Sequence, residues 1–245
     1  VKTAGRHARL AVSSDGAGIV GQAGGVLLTE TLRATGLDQA LSAGLERWRW
    51  PRAIHDPGKV VADLAIMLAL GGDCLSDIAV LRAEPELFGP VPSDPTVSRL
   101  VATLAQAGPQ ALRAIRKARS SARARVWELA GEHAPGTGGI LIPVDLDATI
   151  VLAYSEKENA APTWKRTFGF HPMTAFIDHG PGGTGEAAAL VLRPGNAGSN
   201  TTEDHIAAGR LALQQIPIHL HKQVLIRTDA GAAPTVSSTG SPAGG

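Results

Sequence analysis

One cysteine, Cys74, is all the thiol the 245-residue chain carries. That excludes an intramolecular disulfide and fits a reducing compartment. Long apolar runs are also missing. The stretch from Val60 to Leu70 is broken by Asp63 and falls far short of a membrane span, and no segment has the basic start and apolar core of a signal peptide. These absences predict a cytoplasmic protein with no membrane contact. Nor is there an excess of one charge: 23 Lys and Arg stand against 22 Asp and Glu, a net charge of +1, so nothing global announces nucleic acid. The distribution says more, because residues 1–135 hold 16 basic against 13 acidic side chains and residues 136–245 hold 7 against 9. With 18% charged and 44% hydrophobic residues, the chain reads as globular and long enough for one large or two modest domains.

What is present centres on Ile140 to Val151, ILIPVDLDATIV, entered from the turn-forming Gly136-Thr137-Gly138-Gly139. Its β-branched, apolar character predicts a buried strand interrupted by two acids. Alternation along a strand puts Asp145, Asp147 and Thr149 on one face and Leu146, Ala148 and Ile150 on the other. Two carboxylates roughly 4 Å apart repel by about 4 kcal/mol at an effective dielectric of about 20, so a cation is expected between or beside them. A hard divalent metal suits acids presented in this way. A strand end at which both acids reach water is the plainer account.

Before that strand, Gly16, Gly18 and Gly21 match a dinucleotide-binding G-x-G-x-x-G, with Asp38 where a ribose-binding acid could lie. The context fails, because helix-like sequence rather than a second strand surrounds Asp38 up to the break at Trp48-Arg49-Trp50-Pro51. No nucleotide cofactor is expected. From His55 to Ala130 the periodicity is helical. Val61, Leu64, Ala65 and Leu68 predict the buried stripe of a helix stopped at Gly71-Gly72, and a second helix is predicted over Leu75 to Ala83. A third is capped by Asp94 with Pro95 in its first turn, buries Val97, Leu100, Val101 and Leu104, and presents Thr96, Ser98, Arg99 and Thr103. Such a polar face suits phosphate and base-edge contacts, although an ordinary helical bundle would look the same. Arg113, Arg116, Lys117, Arg119, Arg123 and Arg125 then follow with no acid among them, which suggests a surface facing phosphate. A connecting helix that merely stays soluble is the alternative.

Beyond the acidic strand, Thr163 to Asp178 predicts another strand bent at Gly169 and Pro172, with Trp164, Lys165 and Arg166 offering a stacking surface and two cations, or simply an edge with snorkelling basic side chains. A strand over Ala187 to Leu192, a helix capped by Asn200 and running to about Gln215, and a strand from Gln223 to Thr228 ending at Asp229 complete the pattern. His171, His219 and His221 show no metal spacing and read as structural or surface residues. This order is the start of a ribonuclease-H-like α/β fold with a mixed sheet. Its first strand lies beside its fourth, which would bring Asp147 and Asp229 together across 82 positions, and its geometry asks for one further carboxylate from a later helix.

Taken in order, Val144-Asp145-Leu146-Asp147-Ala148-Thr149, the run Lys165 to Pro172, Arg193-Pro194-Gly195-Asn196 and Arg227-Thr228-Asp229-Ala230-Gly231 resemble the DDE transposases of bacterial insertion sequences, most closely the insertion-sequence family numbered 1380. His55-Asp56-Pro57-Gly58, Gly71 to Asp77 and Ser93-Asp94-Pro95-Thr96 resemble the N-terminal half of that group. The resemblance implies metal-dependent DNA strand cleavage and transfer at element ends, with Asp147 and Asp229 catalytic and two Mg²⁺ or Mn²⁺ ions held by Asp147 and Asp229, with Asp145 beside them. It implies double-stranded DNA as partner, both terminal inverted repeats and target DNA, in a nucleoid-associated protein, with a homodimer as one expected assembly. DNA contacts are expected from Arg99, the basic run between Arg113 and Arg125, Lys165 and Arg166. The implied organisation is a glycine-rich stretch and first helix over 1–54, a helical DNA-binding region over 55–135, an incomplete ribonuclease-H-like catalytic domain over 136–231 and a disordered tail over 232–245. The resemblance fails at one point: no Asp or Glu follows Asp229, so the third acid of the family has no counterpart. A frameshifted or early-stopped copy is therefore expected, either a catalytically impaired transposase or a DNA-binding remnant that inhibits transposition.

Overall fold

The computed structural model describes residues 21–153, 157–180, 183, 185–198 and 201–228. Gly16 and Gly18 of the glycine motif, Asn200, Asp229 and the predicted tail lie outside the described residues. The chain divides into two compact units, Val1–Val126 and Trp127–Gly245.

The first unit is helical. Helix α1 (Gly25–Thr35) stops at Gly36, whose left-handed φ of 70° turns the chain directly into α2 (Leu37–Leu45), and Asp38 lies in the first turn of that helix. Helix α3 (Pro57–Ala69) explains the His55-to-Gly58 motif locally. The Asp56 carboxylate caps it by accepting from the Lys59 amide at 2.8 Å and from the Ser42 hydroxyl at 2.9 Å, and Pro57 occupies its first turn. Gly58 packs so tightly on α2 that a Cβ would sit 2.3 Å from the Ser42 nitrogen. The buried stripe of α3 is Val60, Ala62, Asp63, Ile66 and Met67, whereas the predicted Leu68 is exposed. The helix is apolar almost all round, so its period fits two phases, and Lys59 lets Asp63 enter the interior through contacts of 2.7 and 2.8 Å.

A short 3₁₀ turn (Leu75–Ile78) leads into α4 (Ala79–Arg82) and α5 (Pro85–Phe88). Helix α6 (Asp94–Ala107) takes Ser93 as its N-cap residue, one position before the predicted cap, and Asp94 instead accepts from Arg82 at 3.0 Å. Only Val97 of its predicted stripe is buried, and Val101 is exposed. Val60, Ile66, Met67, Ile78, Leu81, Phe88, Val91 and Val97 form the main core of the unit. Helix α7 (Pro109–Ala130) follows, and from Trp127 its residues belong to the second unit.

The second unit is built on a four-stranded sheet. Its strands are β1 (Ile142–Ala148), β5 (Met173–Ile177), β6 (Glu186–Val191) and β7 (Val224–Thr228), in the order β6-β5-β1-β7. Strand β1 is antiparallel to β5 and parallel to β7, and the crossover to β7 contains α8 (Thr202–Leu213). Short strands β2 (Val151–Leu152), β3 (Ala161–Pro162) and β4 (Phe168–Phe170) form a separate three-stranded sheet. Helix α8 packs on β6, β5 and β1, and covers a core of Ile142, Val144, Leu146, Met173, Ala175, Ile177, Ala208 and Ala212.

The predicted strand from Thr163 is instead a turn followed by two strands. Thr163 and Thr167 close that turn through a 2.6 Å hydroxyl contact, and Arg166 sits within it at φ 60°. The Arg193-to-Asn196 motif also has a packing role. Gly195 lies so close to the Ala161 and Gly169 carbonyls that no side chain fits. Buried Arg193 donates through Nε to the His171 carbonyl at 2.8 Å and through Nη1 to the Gly198 carbonyl at 2.9 Å and the Asp204 carboxylate at 2.8 Å.

Candidate metal and nucleic-acid site

The alternation of β1 sorts its side chains as a half-buried strand requires. Ile142, Val144 and Leu146 are buried under α8, whereas Asp145 and Asp147 point to the opposite, open face. Phe176, Leu190, Leu225 and Arg227 are exposed on the neighbouring strands. The backbone of Asp147 is fixed: it pairs with Thr174 across β5, and the Thr174 hydroxyl donates to the Asp147 carbonyl at 2.8 Å. Among the described residues its carboxylate has neither a hydrogen-bond nor an ion-pair partner, and it is exposed. A solvated, unengaged carboxylate on a pinned backbone is the state a metal ligand needs before the metal arrives.

Asp145 differs. The Arg227 guanidinium donates Nε to its Oδ1 at 2.6 Å and Nη2 to its Oδ2 at 2.7 Å, and the same Nη2 reaches Asp178 Oδ2 at 2.7 Å. The cation that the acidic strand called for is, at Asp145, an arginine. These two carboxylates hold the Arg227 guanidinium above its ordinary range. Asp178 is held below the usual carboxylate range, chiefly by the Gly180 amide and next by Arg227. Sequence reasoning missed both Arg227 and Asp178. A signal for Arg227 existed, because Arg227 and Asp229 alternate as Asp145 and Asp147 do, and the parallel register pairs Asp145 with Arg227 and Leu146 with Thr228.

The basic run on α7 is not one surface. At about 100° per residue, Arg113, Lys117 and Arg125 fall within roughly 120° of one another, while Arg116, Arg119 and Arg123 lie on another side of the helix. The burial agrees: the first three are exposed, Arg116 and Arg119 are half-buried, and Arg123 is only 6% exposed, which withdraws its guanidinium from the surface. Arg99 is exposed on α6 and donates to the Thr96 hydroxyl at 3.0 Å. Lys165 and Arg166 are exposed in the β3–β4 turn, where Lys165 Nζ lies 5.0 Å from the centre of the exposed Trp164 ring.

Among the described residues, Asp73, Cys74 and Asp77 bring potential ligand atoms within 4.8 Å of one another. Asp77 serves as a local cap there, accepting from the Asp73 and Cys74 amides at 2.9 and 3.0 Å. Those amides, that of Cys74 first, hold its carboxyl below the ordinary range. Among the described residues no helix is long and apolar enough to cross a membrane.

No curated protein and no solved structure matches the chain. A family model described as Transposase DDE domain group 1 matches residues 2–238. The mixed helix-and-sheet architecture, with acids on the open face of a mixed-orientation sheet, is compatible with that assignment. The chain therefore belongs to the family of DDE transposase domains, group 1.

Proposed function

We propose that the chain is an insertion-sequence transposase, of the family numbered 1380, with a ribonuclease-H-like catalytic domain in which Asp147 and Asp229 hold the metal ions and engage element ends and target DNA. The observation that carries the reading is the parallel register of β1 and β7. Leu146 pairs with Thr228, and each is one residue before a candidate ligand. Asp147 and Asp229 are the next residues in the chain after that pair, which supports the reading that the two acids serve one site. When bound, the metal ions would supply activation of the attacking oxygen and stabilisation of the leaving oxygen in an in-line displacement at phosphorus.

The chain's own residues divide the remaining work. Thr174 and the β1 ladder fix Asp147, while Arg227 neutralises Asp145 and ties β7 to β1. Arg113, Lys117 and Arg125, together with Arg99, Lys165 and Arg166, offer cations to phosphates, and their contribution is expected to fall steeply with salt.

Supercoiled plasmid incubated with Mg²⁺ or Mn²⁺ and either wild type or Asp147→Ala tests the reading. The expected result is duplex binding by both proteins, with metal-dependent nicking by wild type that Asp147→Ala abolishes. Nicking unchanged in Asp147→Ala, or failure of both proteins to bind DNA, would refute the transposase reading.

A further inference from the structure

A groove of about 450 Å³ in the helical unit belongs to none of the machinery described above, apart from Arg99 on its rim. One wall carries Trp48, Trp50 and His55, and the other carries Arg99, Leu100 and Thr103 of α6. Its volume lies within the roughly 300–1,000 Å³ typical of small-ligand sites.

The lining is selective. Arg49 and Arg99 bring two guanidinium groups, and no carboxylate lines the groove. Glu46, 3.8 Å from Arg49, lies outside the lining. Arg99 uses one Nη to bond Thr96 at 3.0 Å, which leaves most of its five donors available to an anion. Trp50 is 72% exposed, an indole face kept in water at a cost unless something flat covers it. The His55 ring has no hydrogen-bond partner among the described residues, and burial first and Lys59 second lower its pKa, which favours the neutral imidazole.

Cations without acids ask for an anion, an open indole asks for a planar ring, and the His55 imidazole and Gln106 amide can bond a heteroaromatic edge, with the Thr103 hydroxyl, which donates its proton to the Arg99 carbonyl at 2.9 Å, left to accept. One ligand class has all three features. We propose that this groove binds an unpaired nucleotide of a DNA strand, with the base stacked on Trp50 and the phosphate held by Arg99. A duplex cannot satisfy it, because bases paired inside a helix expose edges and not faces, whereas an unstacked base offers its whole ring to an aromatic platform. The transposase reading is needed only to say where such a strand arises, at the separated ends of an element. The chemistry of the groove does not depend on it.

The test is fluorescence anisotropy of a short labelled oligothymidylate and of a matched-length duplex, with wild type, Trp50→Ala, Trp50→Phe and Arg99→Gln. Trp50→Ala is expected to weaken oligothymidylate binding about tenfold. Trp50→Phe should restore most of that loss, and Arg99→Gln should weaken binding and reduce the salt slope by about one. Duplex affinity should change less than about twofold in the Trp50 variants. Equal losses for duplex and single strand, or wild-type single-strand affinity in Trp50→Ala and Arg99→Gln, would overturn the proposal. Since Trp50 is exposed, unchanged circular dichroism will separate lost binding from lost folding. Trp50-dependent single-strand binding by a protein that neither binds duplex nor nicks plasmid would uphold the groove while removing the transposase reading.

Discussion

Asp145 and Arg227, 82 positions apart in sequence, form a two-point ion pair across the parallel seam of β1 and β7, with contacts of 2.6 and 2.7 Å. Since the second Nη2 contact reaches Asp178, one guanidinium joins β7 to β1 and to the end of β5. It does so two residues before Asp229, which makes Arg227 a positioning residue for the proposed site.

Arg227→Gln should therefore loosen β7 more than the rest of the sheet. Hydrogen exchange is expected to accelerate at the amides of β7 and to stay unchanged in β5 and β6, because the pair is solvent-exposed and contributes little to global stability. Uniform acceleration across all four strands would contradict this role.

Asp178 gives the pH dependence of the same clamp. Its folded pKa lies below the ordinary 3.8, so its contribution is present above pH 3.8 and is lost as pH falls through the lower folded value. In Arg227→Gln the Asp178 carboxyl, followed by NMR, should titrate closer to 3.8 without reaching it, because the Gly180 amide, the larger cause, remains.

Asp63 behaves oppositely. Burial raises its pKa to about 6 against the opposing pull of Lys59, so the folded chain binds the proton more tightly than the unfolded one. Stability from this group is fully present below the unfolded value of 3.8 and is lost as pH rises to about 6, by about 3 kcal/mol for a shift of this size. Urea unfolding of Asp63→Asn at pH 4.5 and pH 7 should lack that slope.

Two packing predictions follow from residues of the shared motifs. Gly58→Ala would drive a methyl group into the α2 backbone and should cost about 1–3 kcal/mol or more, measured by denaturant midpoint. Arg193→Met strands the Asp204 carboxylate and two carbonyls, and should cost about 3–5 kcal/mol, with Asp204→Asn milder because that side chain is partly exposed.

What the residues disclose about this protein depends on the range of the interaction. Asp145 and Asp147 could be assigned to one face from β1 alone, because a strand's period of two is a local property. The α3 stripe could not be phased, because Asp63 looks polar in sequence and is made compatible with the interior by Lys59 one turn away. The six basic residues of α7 form one cluster in sequence but separate around the helix, and Arg123 turns inward. Trp164, Lys165 and Arg166 have strand-like neighbours but occupy a turn that the Thr163–Thr167 contact closes. The alternation of Arg227 with Asp229 is a local signal, but pairing Arg227 with Asp145 needed the β1–β7 register, a tertiary fact.

The central claim is that Asp147 and Asp229 converge on shared cations, and Mn²⁺ binding followed by electron paramagnetic resonance tests it directly. Asp147→Ala and Asp229→Ala should each weaken Mn²⁺ uptake at least about tenfold, and the double variant should be little weaker than either, since ligands of one site are not additive. Wild-type uptake in both single variants, or independent losses that add in the double variant, would mean that the two carboxylates serve no common site.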